Sequence, residues 1–302
     1  MYKSKKLLNI DNNAKTIKGQ KLKVKTAILY LAPANESGFN MCPMASAGCK
    51  AACLFTAGRG KFNNVRQGRI NKTIYFMKDR ANFLKQLIKE IRQHADKCKR
   101  EGYTPAVRLN GTSDVSWERF KIFEMFPDVR FYDYTKIYKR ALMWVKGWLP
   151  KNYHITYSLN EDNKKLAFDI LKKGGNISAV FRNKKLPKKF KGFKVINADK
   201  SDVRFKDPRN IIAGLYAKGK ANNDQSGFVL DNWPLNYTYD FTHFNFRFST
   251  SEHKPMSFRA TKQSIFKQGH SRQIVHLTVR KLNLYSSVQA HRWLHEFIYG
   301  FL

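Results

Sequence analysis

Acidic side chains are scarce in this chain of 302 residues: 22 Asp and Glu stand against 57 Lys and Arg, a formal charge of +35. An imbalance of that size excludes a self-neutralised surface and works against recognition of another cationic partner. Long apolar runs are missing as well. No stretch approaches the roughly 18 consecutive apolar residues that a membrane helix needs, and the N-terminal MYKSKKLLNI is followed by no apolar segment of a secretory signal. The expectation is a cytoplasmic protein with no membrane partner. Four cysteines are too few for a disulfide scaffold, and a chain of this length with 42% apolar residues has no need of one. Several catalytic signatures are absent too: the P-loop, H-E-x-x-H, the G-x-S-x-G elbow and a dinucleotide G-x-G-x-x-G after a strand. The eight histidines are scattered, and His291 with His295 reads as the polar side of a last helix.

What is present in excess is positive charge, spread over every third of the chain and not gathered in a tail. It points to nucleic acid or a phosphorylated substrate as partner. General solubility is the plainer reading of the same charge.

Residues 1–23 form a Lys-rich N-terminal extension without periodicity, after which Val24 to Leu31 reads as a buried strand. A loop from 32 to 63 follows, punctuated by Pro and Gly and carrying three of the four cysteines. Ile74, Met77, Ala81, Leu84, Ile88, Ile91, Ala95 and Cys98 recur in steps of three and four, which predicts one amphipathic helix with Cys98 in its apolar seam. Further strands are predicted at 106–109, 129–132, 154–157, 177–181, 193–196 and 211–215, with helices at 116–125, 135–147 and 161–173, the last stopped by Gly174-Gly175. This alternation predicts an α/β fold over 24–231, a partial or distorted TIM-like (βα) barrel of about six to seven parallel strands. Residues 232–302 change texture to period-two aromatics (Tyr237, Tyr239, Phe241; Phe244, Phe246, Phe248), a strand at 273–279 and a helix capped by Ser286. They are expected to form an α+β appendage whose aromatics are core and not a base-stacking surface.

Chemistry concentrates in Met41 to Cys53, where Cys42, Cys49 and Cys53 form C-x6-C-x3-C in the loop after the first strand. In a reducing compartment, thiols this close mean metal or redox chemistry. A structural zinc site takes four protein ligands, and no His precedes His94. Three cysteines without a fourth suit a [4Fe-4S] cluster whose remaining iron is open to a small molecule.

In this loop the sequence resembles the radical S-adenosylmethionine superfamily, which binds such a cluster through three cysteines after the first barrel strand. The resemblance implies S-adenosylmethionine as a second cofactor. The superfamily's usual spacing is C-x3-C-x2-C, and its Gly-Gly-Glu after the second strand is replaced here by Asn110-Gly111-Thr112-Ser113-Asp114. The chain is also similar to a bacteriophage family called gene product 88, in Cys42-Pro43 through Gly58-Arg59-Gly60, in Arg108 to Asp114 and in Gly214 to Phe228. That resemblance covers about residues 24 to 230 and implies a phage origin, hence the host cytoplasm, with no activity attached.

Polar residues recur directly after the predicted strands, the face on which α/β enzymes build their sites. Asp114, Lys136 and Glu161 are the candidate catalytic groups, and Asn110, Ser113, Asp133, Ser158, Arg182, Asp199, Asp202 and Lys218 are candidates for binding cofactor or substrate. Lys136 and Arg182 suit a carboxylate or phosphate, while Asp114 and Glu161 suit ribose hydroxyls or an amine. Individually, Ser113, Thr135 and Ser158 also read as turn or cap residues, and Asp114 as a helix cap. Arg108 lies within a strand pattern and is placed to meet a carboxylate inside the barrel. Three functions compete: an iron–sulfur enzyme acting on a nucleic acid or nucleotide, a basic nucleic-acid-binding protein with a structural metal, and a phage protein that binds a host factor. A Cys or His approaching the loop as fourth ligand favours the second, and an open cavity beside the loop favours the first.

Overall fold

Seven β-branched and aromatic runs, each followed by a polar crossover, become the parallel core of one sheet. The computed structural model describes residues 4–10, 14–231, 259–267 and 270–278. Its parallel strands are β2 (Val24–Leu29), β3 (Thr104–Arg108), β4 (Arg130–Thr135), β5 (Tyr153–Ser158), β6 (Asn176–Phe181), β8 (Phe193–Asn197) and β9 (Ile211–Tyr216). β1 (Leu8–Ile10) adds antiparallel to β2, and β7 (Lys189–Phe190) adds antiparallel to β8. The order is β1-β2-β3-β4-β5-β6-β9-β8-β7, and the short β10 (Val229–Leu230) pairs with the last two residues of β6.

From β2 to β6 the chain steps across the sheet in one direction. Right-handed crossovers taken in a constant direction place their helices on one face. Helices α4 (Arg80–Arg100), α5 (Tyr138–Val145) and α6 (Lys164–Lys172) accordingly share one core with the sheet. Phe83, Leu87 and Ile91 of α4, Ala141 of α5 and Ile170 of α6 meet Leu29, Val107, Phe131, Ile155, Ile177 and Ile212 there. Gly174 stops α6 as its sequence implies: at φ +83° its N–H reaches Leu171 O, and Gly175 N–H reaches Ile170 O, a Schellman ending.

The single long helix expected around 74–98 is two, α3 (Asn63–Lys78) and α4, broken at Asp79. The backbone leaves the helical region at Asp79, at φ −141° and ψ 63°, and its carboxylate accepts from Asn82 Nδ2 at 3.0 Å in the first turn of α4. On α4 the fully buried positions are Phe83, Leu87, Ile91, His94 and Cys98, a face shifted from the predicted one by the wider aromatic cluster around Phe76 and Trp117. Cys98 is core, against His94. The segment predicted helical at 116–125 holds only a 3-10 turn, Trp117–Phe120.

The TIM-like barrel does not form. β1 and β7 end the sheet unpaired with each other, and β9 inserts between β6 and β8. The connection from β8 to β9 carries only a 3-10 turn (Arg204–Lys206), which packs on β4 and β5, where Val203 and Phe205 meet Val24, Ala106 and Tyr132. That is the face opposite the helices, which the interior of a closed barrel would occupy. Asp202 anchors the crossing: it accepts from Arg108 Nη1 at 3.0 Å and from Tyr132 Oη at 3.1 Å.

The chain divides into two compact units, Met1–Asn232 and Trp233–Leu302. In the second, β11 (Arg259–Lys267) and β12 (His270–Thr278) pair antiparallel. The aromatic alternation at Tyr237 to Phe248 and the helix after Ser286 lie outside the described residues. No helix among the described residues is long and apolar enough to cross a membrane.

Removing the anchor leaves Arg108 charged and enclosed, so Asp202→Ala is expected to cost about 3–5 kcal/mol, the range for breaking one side of a buried pair. Urea unfolding of the two proteins measures it.

A cysteine-lined cavity at the strand ends

The loop leaving β2 is held in place by short polar contacts. Thr112 Oγ1 donates to Leu31 O at 2.6 Å, and Asp114 N–H donates to Met41 O at 2.8 Å, tying the β3 exit to both ends of the first half of the loop. Ser46 caps the short helix α2 (Ala47–Ala51) by accepting from Cys49 N–H at 3.2 Å. Gly48 N–H donates to Glu161 Oε1 at 2.7 Å, and a Cβ at Gly48 would sit 2.0 Å from Ser226 Oγ. Only glycine permits that approach.

This loop forms an open cavity of about 520 Å³ whose lining includes Cys42, Cys49 and Cys53 together with Pro33, Glu36 and Phe55. Among the described residues, neither a histidine nor the fourth cysteine lines it. Lys136, at the end of β4, brings its ammonium onto Cys49 and near Cys42. Burial works against that charge, but Cys49, Asp114 and Cys42 together hold the lysine above its usual range. Burial likewise pushes the Cys42 thiol up to about 11, reinforced by Asp114 and opposed by a backbone hydrogen bond at Ala34. Burial raises Cys53 too, with Arg69 and Lys136 acting in the opposite sense. The Arg69 guanidinium is 4.8 Å from the Tyr30 ring centroid and 5.4 Å from that of Phe55, and its Nε and Nη1 are buried without an acceptor. Among the described residues, no three or more His, Cys, Asp or Glu side chains are gathered closely enough to hold a metal ion.

Of the candidate residues named from sequence, Asp114, Lys136 and Glu161 come to this loop. Asp114 is fully engaged, accepting from Thr135 Oγ1, Lys136 N–H and Arg140 Nη1, each at 2.7 Å. Asn110 and Ser113 close the turn beneath it: Asn110 Oδ1 accepts from Ser113 Oγ, Val115 N–H and Trp117 Nε1. Asp133 accepts from Asn110 N–H at 2.7 Å and from Tyr153 Oη at 3.1 Å, and burial pushes its carboxyl up to about 6 against the pull of Arg140. Ser158 pairs with Ser178. The others stand apart from the cysteines in separate contacts: Arg182 on Asp231 and the carbonyls of Asn222 and Asp224, Asp199 with Lys218, and Asp202 beneath the sheet. Sequence reasoning passed over Arg69, Arg140, Ser226 and Phe228. Arg140 lies under the site between Asp114 and Glu118, and Phe228 has Lys136 Nζ 5.9 Å from its ring centroid. The acid-poor surroundings of Arg69 were the only signal pointing to it.

An open, singly wound α/β sheet with a three-cysteine loop over the carboxyl ends of its strands defines the class. Within it the chain belongs to the phage family described as gene product 88, whose match spans residues 5–232. No curated protein and no solved structure matches the chain.

Two measurements check the site's construction. Gly48→Ala should unfold at lower urea than the native chain, whereas Gly68→Ala, in open space within α3, should gain about 0.5–1 kcal/mol. Asp133, raised from 3.8 to about 6 on folding, lends stability that is complete below pH 4 and is lost as pH rises through 6. The stability difference between the native chain and Asp133→Asn should therefore fall across that window in pH-resolved urea titrations.

Proposed function

We propose that this protein is an iron–sulfur enzyme in which Cys42, Cys49 and Cys53 hold a [4Fe-4S] cluster and the substrate is a nucleic acid or nucleotide. The observation that carries the reading is one cavity lined by three thiols of one loop, with no fourth Cys and no His in its lining among the described residues. The donor set fits: thiolates are the ligands such clusters take, and three leave one iron for a small molecule.

When bound, the cluster would supply single electrons, to S-adenosylmethionine if that cofactor occupies the open iron. The chain's own residues have distinct tasks. Lys136 places a fixed positive charge against Cys49, which offsets the negative charge of thiolate ligands in a desolvated site. Asp114 sets the backbone of Lys136, and Glu161 holds the loop at Gly48. Lys50 lines the cavity and Arg69 and Lys136 act on Cys53, so cations are at hand for a phosphate or carboxylate entering beside the thiols. The net charge of +35 supports a polyanionic partner.

Anaerobic purification with iron, sulfide and zinc assays and a visible spectrum tests this. The native chain should carry about four irons, the content of a [4Fe-4S] cluster, and the Cys42/Cys49/Cys53 triple Ala variant none. Zinc alone, or no metal, overturns the reading and leaves a basic binding protein. Lys136→Gln should keep its iron but show a lower reduction potential in spectroelectrochemistry, because a positive charge that favours the reduced cluster is gone.

A further inference from the structure

From Ile170 to Ala198 the chain holds no acidic residue, while nine of its side chains are Lys or Arg. This segment supplies the β7–β8 hairpin at the sheet edge, and Lys184, Lys188, Lys189, Lys191 and Lys194 are all exposed. Between the hairpin and α6 lies a groove of about 450 Å³ lined by Lys164, Lys165, Lys172 and Lys191, with Phe168 in its floor and one carboxylate, Asp169, also in its lining. Phe168 packs against Phe190 and Phe193, ring centroids 6.4 and 6.0 Å away, so the floor is anchored to both hairpin strands. The Asp169 carboxylate is engaged by Tyr138 and Lys173.

The hairpin turns through Lys191-Gly192, both left-handed, at φ +47° and +84°. Two-residue turns of this type select Asn, Asp or Gly at the first position. A lysine there carries about 1–2 kcal/mol of backbone strain. Backbone outliers of this sort cluster at functional sites, and Lys191 Nζ stands 5.5 Å from the Phe168 ring centroid, at the groove.

We infer that this groove holds the phosphate backbone of a nucleic acid, with Lys191 as a phosphate contact set by the strained turn. The inference rests on the nucleic-acid part of the function proposed above. The lysines of α6 from 164 to 172 span about 12 Å along the helix, enough for several phosphates at about 3.4 Å of duplex axis each. An anionic membrane is the poorer match, because Phe168, Phe190 and Phe193 are partly buried against one another and offer no apolar wedge to insert. The helix that lines the groove begins three residues after Glu161, which accepts from Gly48 N–H in the cysteine loop.

Lys191→Asn separates charge from structure, because asparagine suits the turn and removes the cation. In the full chain, it should unfold at higher temperature yet bind a fluorescent 20-nucleotide strand or its duplex roughly fivefold more weakly near 0.15 M salt, with the log–log salt slope reduced by about one. Lys191→Arg should bind as the native chain does. Binding and slope unchanged in Lys191→Asn, no nucleic-acid binding by the native chain, or binding only to phosphatidylserine vesicles would each overturn the inference. Iron content keeps the two readings apart. Lys191→Asn should retain the metal of the native chain while losing affinity, and the triple Ala variant should retain affinity while losing metal.

Discussion

The carboxylate of Asp114 sits where scaffold and cavity meet. One oxygen receives Arg140 and Thr135, and the other receives the backbone N–H of Lys136. Arg140 is almost wholly enclosed, and its charge is tolerable only because Asp114 and Glu118 accept its donors. The same guanidinium reaches Tyr153, which donates to Asp133, which in turn accepts from the backbone of Asn110. The turn after β3, the end of β4 and the start of α5 are thereby locked together, and Lys136 is delivered to Cys49 as a consequence.

Scarcity of acids gives this network its cost and its effect. Asp114 and Glu118 are spent on Arg140, Asp202 on Arg108, Asp199 on Lys218 and Glu161 on the backbone of Gly48. Carboxylates used internally leave the outer lysines uncompensated. The groove beside α6 is the clearest case, because its own acid is already paired and the adjoining hairpin has none. A chain that organises its interior with its few acids presents a surface suited to polyanions.

Local pattern was enough to find all seven parallel strands, because each is a short β-branched or aromatic run set between polar crossovers. It also located the cysteine loop and the glycine stop of α6. It misplaced the buried face of α4 and ran α3 into it, because the seam of threes and fours continues through Asp79 and only the aromatic packing around Phe76 and Trp117 selects another face. Barrel closure was misread for a related reason. Alternation predicts parallel strands, but whether the last two exchange places depends on where the β8–β9 connection lies, and that connection is held by long-range contacts such as Asp202 with Arg108 and Tyr132.

Composition and spacing by themselves determined that this is an α/β chain with a three-thiol loop at the carboxyl end of its first parallel strand, under a large positive charge. Those properties are short-range: they follow from neighbours in the chain and the preferences of each residue. Tertiary structure alone decided that the sheet stays open, that Lys136 meets Cys49, that Arg69 stands between Tyr30 and Phe55, and that Asp114 is a strut with Arg140 as its partner. Each of these joins residues from separate elements, so the contact exists only after the hydrophobic core has fixed how the helices lie on the sheet.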